Sequence, residues 1–223
     1  REEPKKEFIK TNENINLNSL KDREHYALWI GHSTFLINNG DLTILTDPIF
    51  SERASPLTFA GPKRLIKPVI KIKDLPKVDV ITISHNHYDH LDVNSLRKIQ
   101  KKFPNVKILV PKGDLKLLRN YNLNNGFEFL WWEAITLNNT KFIFTPAQHW
   151  SARGLRDRNK SLWGSWFIKN EDKNIFHAGD TGYSEDFIEI RNRLGAVDFA
   201  MIPIGAYDPQ WFMSYSHVNP EEA

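Results

Sequence analysis

Three of the chain's eight histidines fall within six residues, at His85, His87 and His90, with Asp89 beside the last. The full stretch is Ser84-His85-Asn86-His87-Tyr88-Asp89-His90-Leu91-Asp92, and it follows the apolar, β-branched run Val78–Ser84. In extended chain, side chains two apart share a side, so His85 and His87 converge on one metal ion. Asp89 and His90 lie beyond, where the chain turns toward a helix, and can serve a second ion. Imidazole suits zinc, and a carboxylate keeps the site hard enough to polarise water. The alternative is a chance cluster of surface histidines. Its place after a buried strand, with an aspartate inside it, favours a metal site.

Two more candidates lie downstream. His149, in Thr145-Pro146-Ala147-Gln148-His149-Trp150, and Asp180, in His177-Ala178-Gly179-Asp180-Thr181-Gly182, each sit just past a strand end. Either is unremarkable alone, as a loop histidine or a turn aspartate, and gains weight beside the first cluster. Asp47, in Thr46-Asp47-Pro48, reads either as a turn residue or as a group that accepts the second N–H of a ligating imidazole. His32 reads as a core or orienting residue more readily than as a substrate contact. His177 reads as packed in a strand and His25 as exposed.

These residues need a frame. With 223 residues, 40% of them hydrophobic, the chain can bury the core of one domain. The net charge of +3 is too small to imply nucleic acid as a partner. The absence of cysteine excludes disulfides, thiolate ligands and a cysteine nucleophile. No apolar run reaches the length of a membrane-spanning helix. Residues 1–25 are polar and Asn-rich and read as a peripheral segment; 26–223 read as one domain. The charged start, Arg1 to Lys10, reads as a cut edge or a tail and not as a signal peptide.

Ala27–Ile37 and Asp41–Thr46 are expected as two strands around the turn Asn38-Asn39-Gly40. The prolines from Pro56 to Pro76 make the next segment, from Phe50, a long loop. Leu96, Ile99 and Phe103 are spaced as on a helix that Pro104 stops. Val106–Val110 follows as a strand and Asp114–Tyr121 as a helix. Phe127–Leu137 and Lys141–Thr145 flank Asn138-Asn139; Leu162–Lys169 and Ile175–Ala178 flank a charged turn. Ser184 is expected as the N-cap of a helix ending at Gly195, with Val197–Ile204 as the last strand. Strands mixed with helices imply an α/β fold with helices packed outside the sheets.

The pattern His-x-His-x-Asp-His, with Thr46-Asp47-Pro48, His149 and Gly179-Asp180-Thr181, resembles the metallo-β-lactamase superfamily. Longer stretches are similar to its branch of N-acylphosphatidylethanolamine-hydrolysing phospholipases D. They include Trp29-Ile30-Gly31-His32-Ser33-Thr34, Gly61-Pro62-Lys63-Arg64, Leu130-Trp131-Trp132-Glu133, Leu162-Trp163-Gly164-Ser165-Trp166 and Ile202-Pro203-Ile204-Gly205-Ala206-Tyr207. The resemblance runs over nearly everything after Tyr26. It implies a metallo-β-lactamase-like αββα sandwich with two zinc ions. His85, His87 and His149 would hold one, Asp89 and His90 the other, and Asp180 would bridge them. Asp89 and Asp180 would serve the reaction itself, and Tyr88 and His217 would contact the phospholipid head.

The resemblance further implies hydrolysis of N-acylphosphatidylethanolamine to N-acylethanolamine and phosphatidic acid, a membrane-surface substrate, a homodimer, and a peripheral-membrane or cytoplasmic location. The alternatives are a related hydrolase of a soluble ester, lactone or phosphodiester, or an inactive metal-binding scaffold. The branch supplies one more zinc-binding histidine from beyond the position of His217. Asn219, Pro220, Glu221 and Glu222 also announce a helix. The domain is therefore expected to be incomplete at its C-terminus. Trp131, Trp132, Trp163, Trp166 and Trp211 read as core or as a lipid groove. The segment carrying Lys63, Arg64, Lys67, Lys71, Lys73 and Lys77 reads as solvated or as resting on anionic lipid.

Overall fold

The computed structural model describes residues 18–21, 23–57 and 59–223. Most of the peripheral N-terminal segment expected from the sequence lies outside them. After a single turn, α1 (Asn18–Lys21), a six-stranded sheet forms from β1 (His25–Gly31), β2 (Thr34–Asn39), β3 (Thr43–Thr46), β4 (Val80–Thr82), β5 (Lys107–Pro111) and β6 (Gly126–Phe129), in that spatial order. The β1–β2 and β2–β3 pairs are antiparallel; β3 to β6 run parallel. The parallel crossovers carry α2 (Val93–Lys102) and α3 (Leu115–Asn120).

The second sheet has five strands: β7 (Ala134–Leu137), β8 (Thr140–Thr145), β9 (Ser165–Lys169), β10 (Asn174–His177) and β11 (Phe199–Met201). Its first four strands pair antiparallel, and β11 joins β10 in parallel after α4 (Asp186–Leu194). A short α5 (Gln210–Met213) follows.

Period-two alternation sorts the apolar residues into layers. Ile44, Val80 and Leu109 face the second sheet, where they meet Phe142, Phe144, Trp166 and Ile168. Their chain neighbours Leu45, Ile81, Ile108 and Val110 face outward and pack with Leu96 and Ile99 of α2 and Leu118 of α3. On the far side Ile143, Phe167 and Phe176 pack with Ile190 of α4. Helix, sheet, sheet, helix is the expected order of layers.

Two expected strands are each broken in two. Ala27–Ile37 contains a reversal at Gly31 and His32, both with positive φ (142° and 51°), so β1 and β2 form a hairpin instead of one strand. Phe127–Leu137 is interrupted at Leu130–Glu133, and its halves enter different sheets. There Trp132 takes φ 72°, and the Glu133 carboxylate accepts from the Leu130 N–H. The first break, Gly31-His32-Ser33-Thr34, is polar and led by glycine, whereas the second falls in the apolar run Leu130-Trp131-Trp132, which carries no breaker before Glu133. The helix begun at Ser184 has Glu185 as its N-cap; the Ser184 hydroxyl accepts from the Asp186 N–H at 3.3 Å.

The C-terminal ends of β3, β4, β8 and β10 and the β1–β2 turn all lie on one edge of the sandwich. Two bonds lock the sheets together there. The Trp166 indole donates to the Ile83 carbonyl at 2.8 Å, and the Gly164 N–H to the Ser84 carbonyl at 3.0 Å.

Candidate metal centre

Each site residue follows a strand on that edge. Beyond β4, His85, His87, Asp89 and His90 occupy a tight loop closed by bonds from the His90 and Leu91 N–H groups to the His87 carbonyl. Asp92 then caps α2, accepting from the Asn94 N–H at 3.1 Å. His149 follows β8, and Asp180 follows β10 after Gly179, whose φ of 63° lets the turn pass close over Ser84.

The donor atoms fall into overlapping groups, each with its atoms within 4.8 Å of one another: His85, His87 and His149; His85, His90 and Asp180; and His32, Asp89 and His90. His85 Nε2 faces His87 Nδ1 at 2.9 Å, and His149 Nε2 faces the same nitrogen at 3.4 Å. Asp180 Oδ2 lies 3.4 Å from His90 Nε2, 4.0 Å from His149 Nε2 and 3.9 Å from His217 Nδ1. Donors around a tetrahedral zinc, at metal distances of about 2.0–2.1 Å, stand about 3.3 Å apart. The spacings here are of that size. His90 Nε2 and His87 Nε2 are buried without a hydrogen-bond partner. A nitrogen-rich set with two carboxylates fits a pair of divalent cations.

The support beneath these groups is a buried network around Asp47. Its Oδ1 accepts from the Ser84 N–H at 2.7 Å, and its Oδ2 accepts from the Ser84 hydroxyl at 2.6 Å and stands 2.7 Å from His90 Nδ1. Ser84 Oγ is in turn 2.9 Å from His85 Nδ1. The carboxylate therefore assigns the His90 proton to Nδ1 and leaves Nε2 with its lone pair toward the site. Asp47 is both a turn residue, with φ 34°, and an imidazole orienter.

Burial pushes His85, His87 and His149 downward, His149 to about 4, so these imidazoles are neutral donors. Burial also opposes charge on His90. The nearby Asp180 and Asp89 carboxylates and the bond to Asp47 outweigh it and hold His90 well above its ordinary value. For Asp180, burial would raise the carboxyl, but His90 outweighs it and keeps the acid ionised. The field that draws a proton to His90 equally favours a cation.

All six residues expected to hold metal are thus gathered at one place. His217 stands at the edge, its ring 5.3 Å from that of His149. Tyr88 turns aside: its hydroxyl donates to the Arg153 carbonyl at 3.1 Å, under the Arg153 guanidinium. His177 is buried in β10, as expected. His32, expected as a core or orienting residue, is not in the core and stands beside Asp89. Its side chain is 45% exposed and its Nε2 lies 3.2 Å from Asp89 Oδ2. The glycine before it was the only sequence sign of a turn that redirects it. Trp166 is fully buried, whereas Trp131 and Trp211 are exposed.

A sandwich of this layering, with histidines and aspartates from both sheets meeting at one edge, defines a class. The chain belongs to the metallo-β-lactamase superfamily: a family profile described as the β-lactamase superfamily domain matches residues 43–223. Among particular proteins, it is 41% identical over 208 residues to N-acyl-phosphatidylethanolamine-hydrolyzing phospholipase D 1 of Caenorhabditis elegans, covering 89% of this chain and 58% of that protein. It is 42% identical over 205 residues to the mitochondrial N-acyl-phosphatidylethanolamine-hydrolyzing phospholipase D of Saccharomyces cerevisiae, covering 88% and 43%. The chain thus spans about half the length of these two curated relatives. A metal-dependent hydrolase of Caldivirga maquilingensis is 31% identical and covered over 70% of its length. Among solved structures, isothiocyanate hydrolase from Delia radicum gut bacteria superimposes with a TM-score of 0.66 at 18% identity, over 86% of this chain and 76% of that one. That likeness is one of fold.

Proposed function

We propose that this chain carries the two-metal site of a zinc-dependent phosphodiesterase. Its substrate would be N-acylphosphatidylethanolamine, and its products N-acylethanolamine and phosphatidic acid. The observation that carries the reading is the placement of Asp180 Oδ2 within 4.0 Å of nitrogens from both donor groups, His90 and His149. The substrate class is supported by the two relatives above 40% identity that bear that activity in their names. Bound divalent cations supply, in such sites, a lowered water pKa and neutralisation of phosphoryl charge.

The chain's own residues do the rest. Asp47 and Ser84 fix the imidazole tautomers, and Asp89 and Asp180 supply the negative charge that retains cations. Hydrolysis breaks the bond between phosphorus and the ethanolamine oxygen, adds water oxygen to phosphorus and returns a proton to the departing alkoxide. His217, half-buried with its Nδ1 3.9 Å from Asp180 Oδ2, is the side chain we assign to donate that proton or to hold a phosphate oxygen. Tyr88 reaches the head group only on releasing the Arg153 carbonyl. Exposed Leu57, Phe59 and Leu65, interleaved with exposed Lys63 and Lys67, form a loop suited to an anionic lipid surface. No helix among the described residues is long and apolar enough to cross a membrane. The reading includes a homodimer, which sedimentation of the purified protein would test.

The activity test is zinc-loaded protein with vesicles containing N-acylphosphatidylethanolamine, read by mass spectrometry of both products. Release of N-acylethanolamine with equimolar phosphatidic acid is expected. Turnover of soluble lactones or phosphodiesters with none of the phospholipid would replace this substrate, and turnover of neither, with metal bound, would leave a metal-binding scaffold.

A further inference from the structure

We infer that residues 151–160 form a lipid-docking loop at the mouth of the metal site. Leu155 enters the acyl layer of an anionic bilayer, and Arg156, Arg158 and Lys160 meet its phosphates. The inference deepens the phospholipid reading above and rests on it for the choice of a bilayer as partner. Leu155 is the most exposed large apolar side chain among the described residues, at 104%. Exposed Arg156, Arg158 and Lys160 follow it closely in the chain. The loop's one acid, Asp157, is occupied within the loop: its carboxylate accepts from the Arg153 N–H at 3.1 Å and the Gly154 N–H at 2.8 Å. A leucine tip beside three cations suits a surface that is negative outside and apolar within.

The loop is held in shape, and it is fastened to the metal site. Asn159, at φ 57°, donates its N–H to the Ser151 carbonyl at 2.7 Å and closes the neck. The Arg153 guanidinium donates to the Asn86 and Leu91 carbonyls, each at 2.8 Å, and so ties the loop to both ends of the histidine segment. At the neck the Trp150 ring lies 4.2 Å from that of His87, and the Arg158 guanidinium covers the same indole at 4.9 Å. Stacking occupies the guanidinium face and leaves the N–H groups in its plane to phosphate oxygens. A cavity of about 700 Å³ is lined by Arg53, Ser55 and Pro56 on one side and by Gly154, Asp157 and Lys160 on the other. The loop therefore opens on the same face as the one that carries Leu57, and two separated anchors orient a protein on a plane where one leaves it free to tilt.

The chain has no cysteine, so Leu155→Cys accepts an apolar, environment-sensitive fluorophore at one position. Lys141→Cys, exposed at the start of β8 and thus on the opposite edge, is the control. The probe is phosphatidylcholine vesicles with and without phosphatidylserine and free of substrate, so the readout needs no hydrolysis. With phosphatidylserine present, emission from position 155 should shift to the blue and be quenched by nitroxides on the lipid chains, while position 141 stays unchanged. Arg156→Gln together with Arg158→Gln should weaken vesicle binding by about 30-fold, with the urea midpoint and turnover of detergent-dispersed substrate unchanged. A label at 155 that does not shift overturns the assignment, as does undiminished binding by the double variant. Emission already blue-shifted without vesicles also overturns it, since protein then covers Leu155; dependence on protein concentration would make that cover a second copy. Each of these leaves the phosphodiesterase reading standing. Docking without hydrolysis of N-acylphosphatidylethanolamine in vesicles or detergent overturns that reading and leaves the loop its lipid surface.

Discussion

Replacing Asp47 by asparagine changes one atom pair and should disturb both metal positions. In the native protein the carboxylate accepts from the Ser84 N–H, the Ser84 hydroxyl and the His90 Nδ1–H, all within 2.6–2.7 Å and fully buried. Asparagine can keep its oxygen on the Ser84 N–H only by pointing its NH2 at His90 Nδ1. That nitrogen must then give up its proton, which moves to Nε2 and removes the lone pair facing Asp180 and Asp89. The flipped amide rescues His90 but sets a donor against the Ser84 N–H. The Ser84 hydroxyl, freed from the carboxylate, also stops holding the proton on His85 Nδ1 at 2.9 Å.

Losing a hydrogen bond to a charged group costs about 1.5–3 kcal/mol of folding stability, and a lost orienting partner about 10–100-fold in metal affinity. Chelator competition should show both zinc ions weakened, and urea unfolding of the metal-free variant should show the stability loss. Asp47→Ala, which leaves three buried donors unpaired, should cost about 3–5 kcal/mol. An asparagine variant that binds two ions with wild-type affinity would refute the tautomer argument outright.

Other perturbations test separate links. His85→Ala or His87→Ala should lower bound zinc by one ion and abolish hydrolysis; full zinc and full turnover in either would remove it from the ligand set. Gly164→Ala would drive a methyl against the Thr145 carbonyl and the Phe144 ring, and should destabilise by about 1–3 kcal/mol in urea unfolding. Trp166→Phe leaves the Ile83 carbonyl without its donor at the root of the metal loop, for about 1–3 kcal/mol. Burial pushes Asp114 up to about 6 from the ordinary 3.8, against hydrogen bonds from Ser161 and Asn86. The folded protein therefore holds a proton the unfolded chain releases, and stability falls as pH rises from about 4 to about 6. Asp114→Asn should remove that fall, so its unfolding free energy should gain on wild type by about 3 kcal/mol across the window; parallel curves would show that Asp114 titrates normally.

The candidate donor residues that the fold brings together were legible in the sequence because each is local: a histidine or aspartate just past an apolar run. The residues alone pointed to sheets with helices packed outside, and the order of the four layers came from the resemblance, because a fully apolar strand such as Ile108-Leu109-Val110 does not say which face meets the other sheet. The two broken strands were not legible. Gly31-His32 and Leu130-Glu133 reverse the chain through backbone angles and bonds to distant partners, such as the Trp132 N–H on the Phe144 carbonyl, which leave no periodic trace. For His32 the sequence left core and orienting roles open, and the turn inside what read as one strand decides between them by pointing the ring at Asp89. Tyr88 was singled out as a contact for the phospholipid head, but Arg153, 65 residues on, decides where its hydroxyl points.

The chain lays down its sheets one after the other: everything through Phe129 belongs to the first and everything from Ala134 to the second. On a ribosome adding about 5–20 residues per second, His85 to His90 emerge roughly 5–20 s before Asp180. Through that interval the nascent protein displays half a ligand set above an apolar sheet face with nothing to cover it. The last carboxylate and the partner sheet arrive together. The donor groups drawn from both sheets thus meet only as the sandwich closes, so any metal they hold is captured late in folding instead of guiding its start.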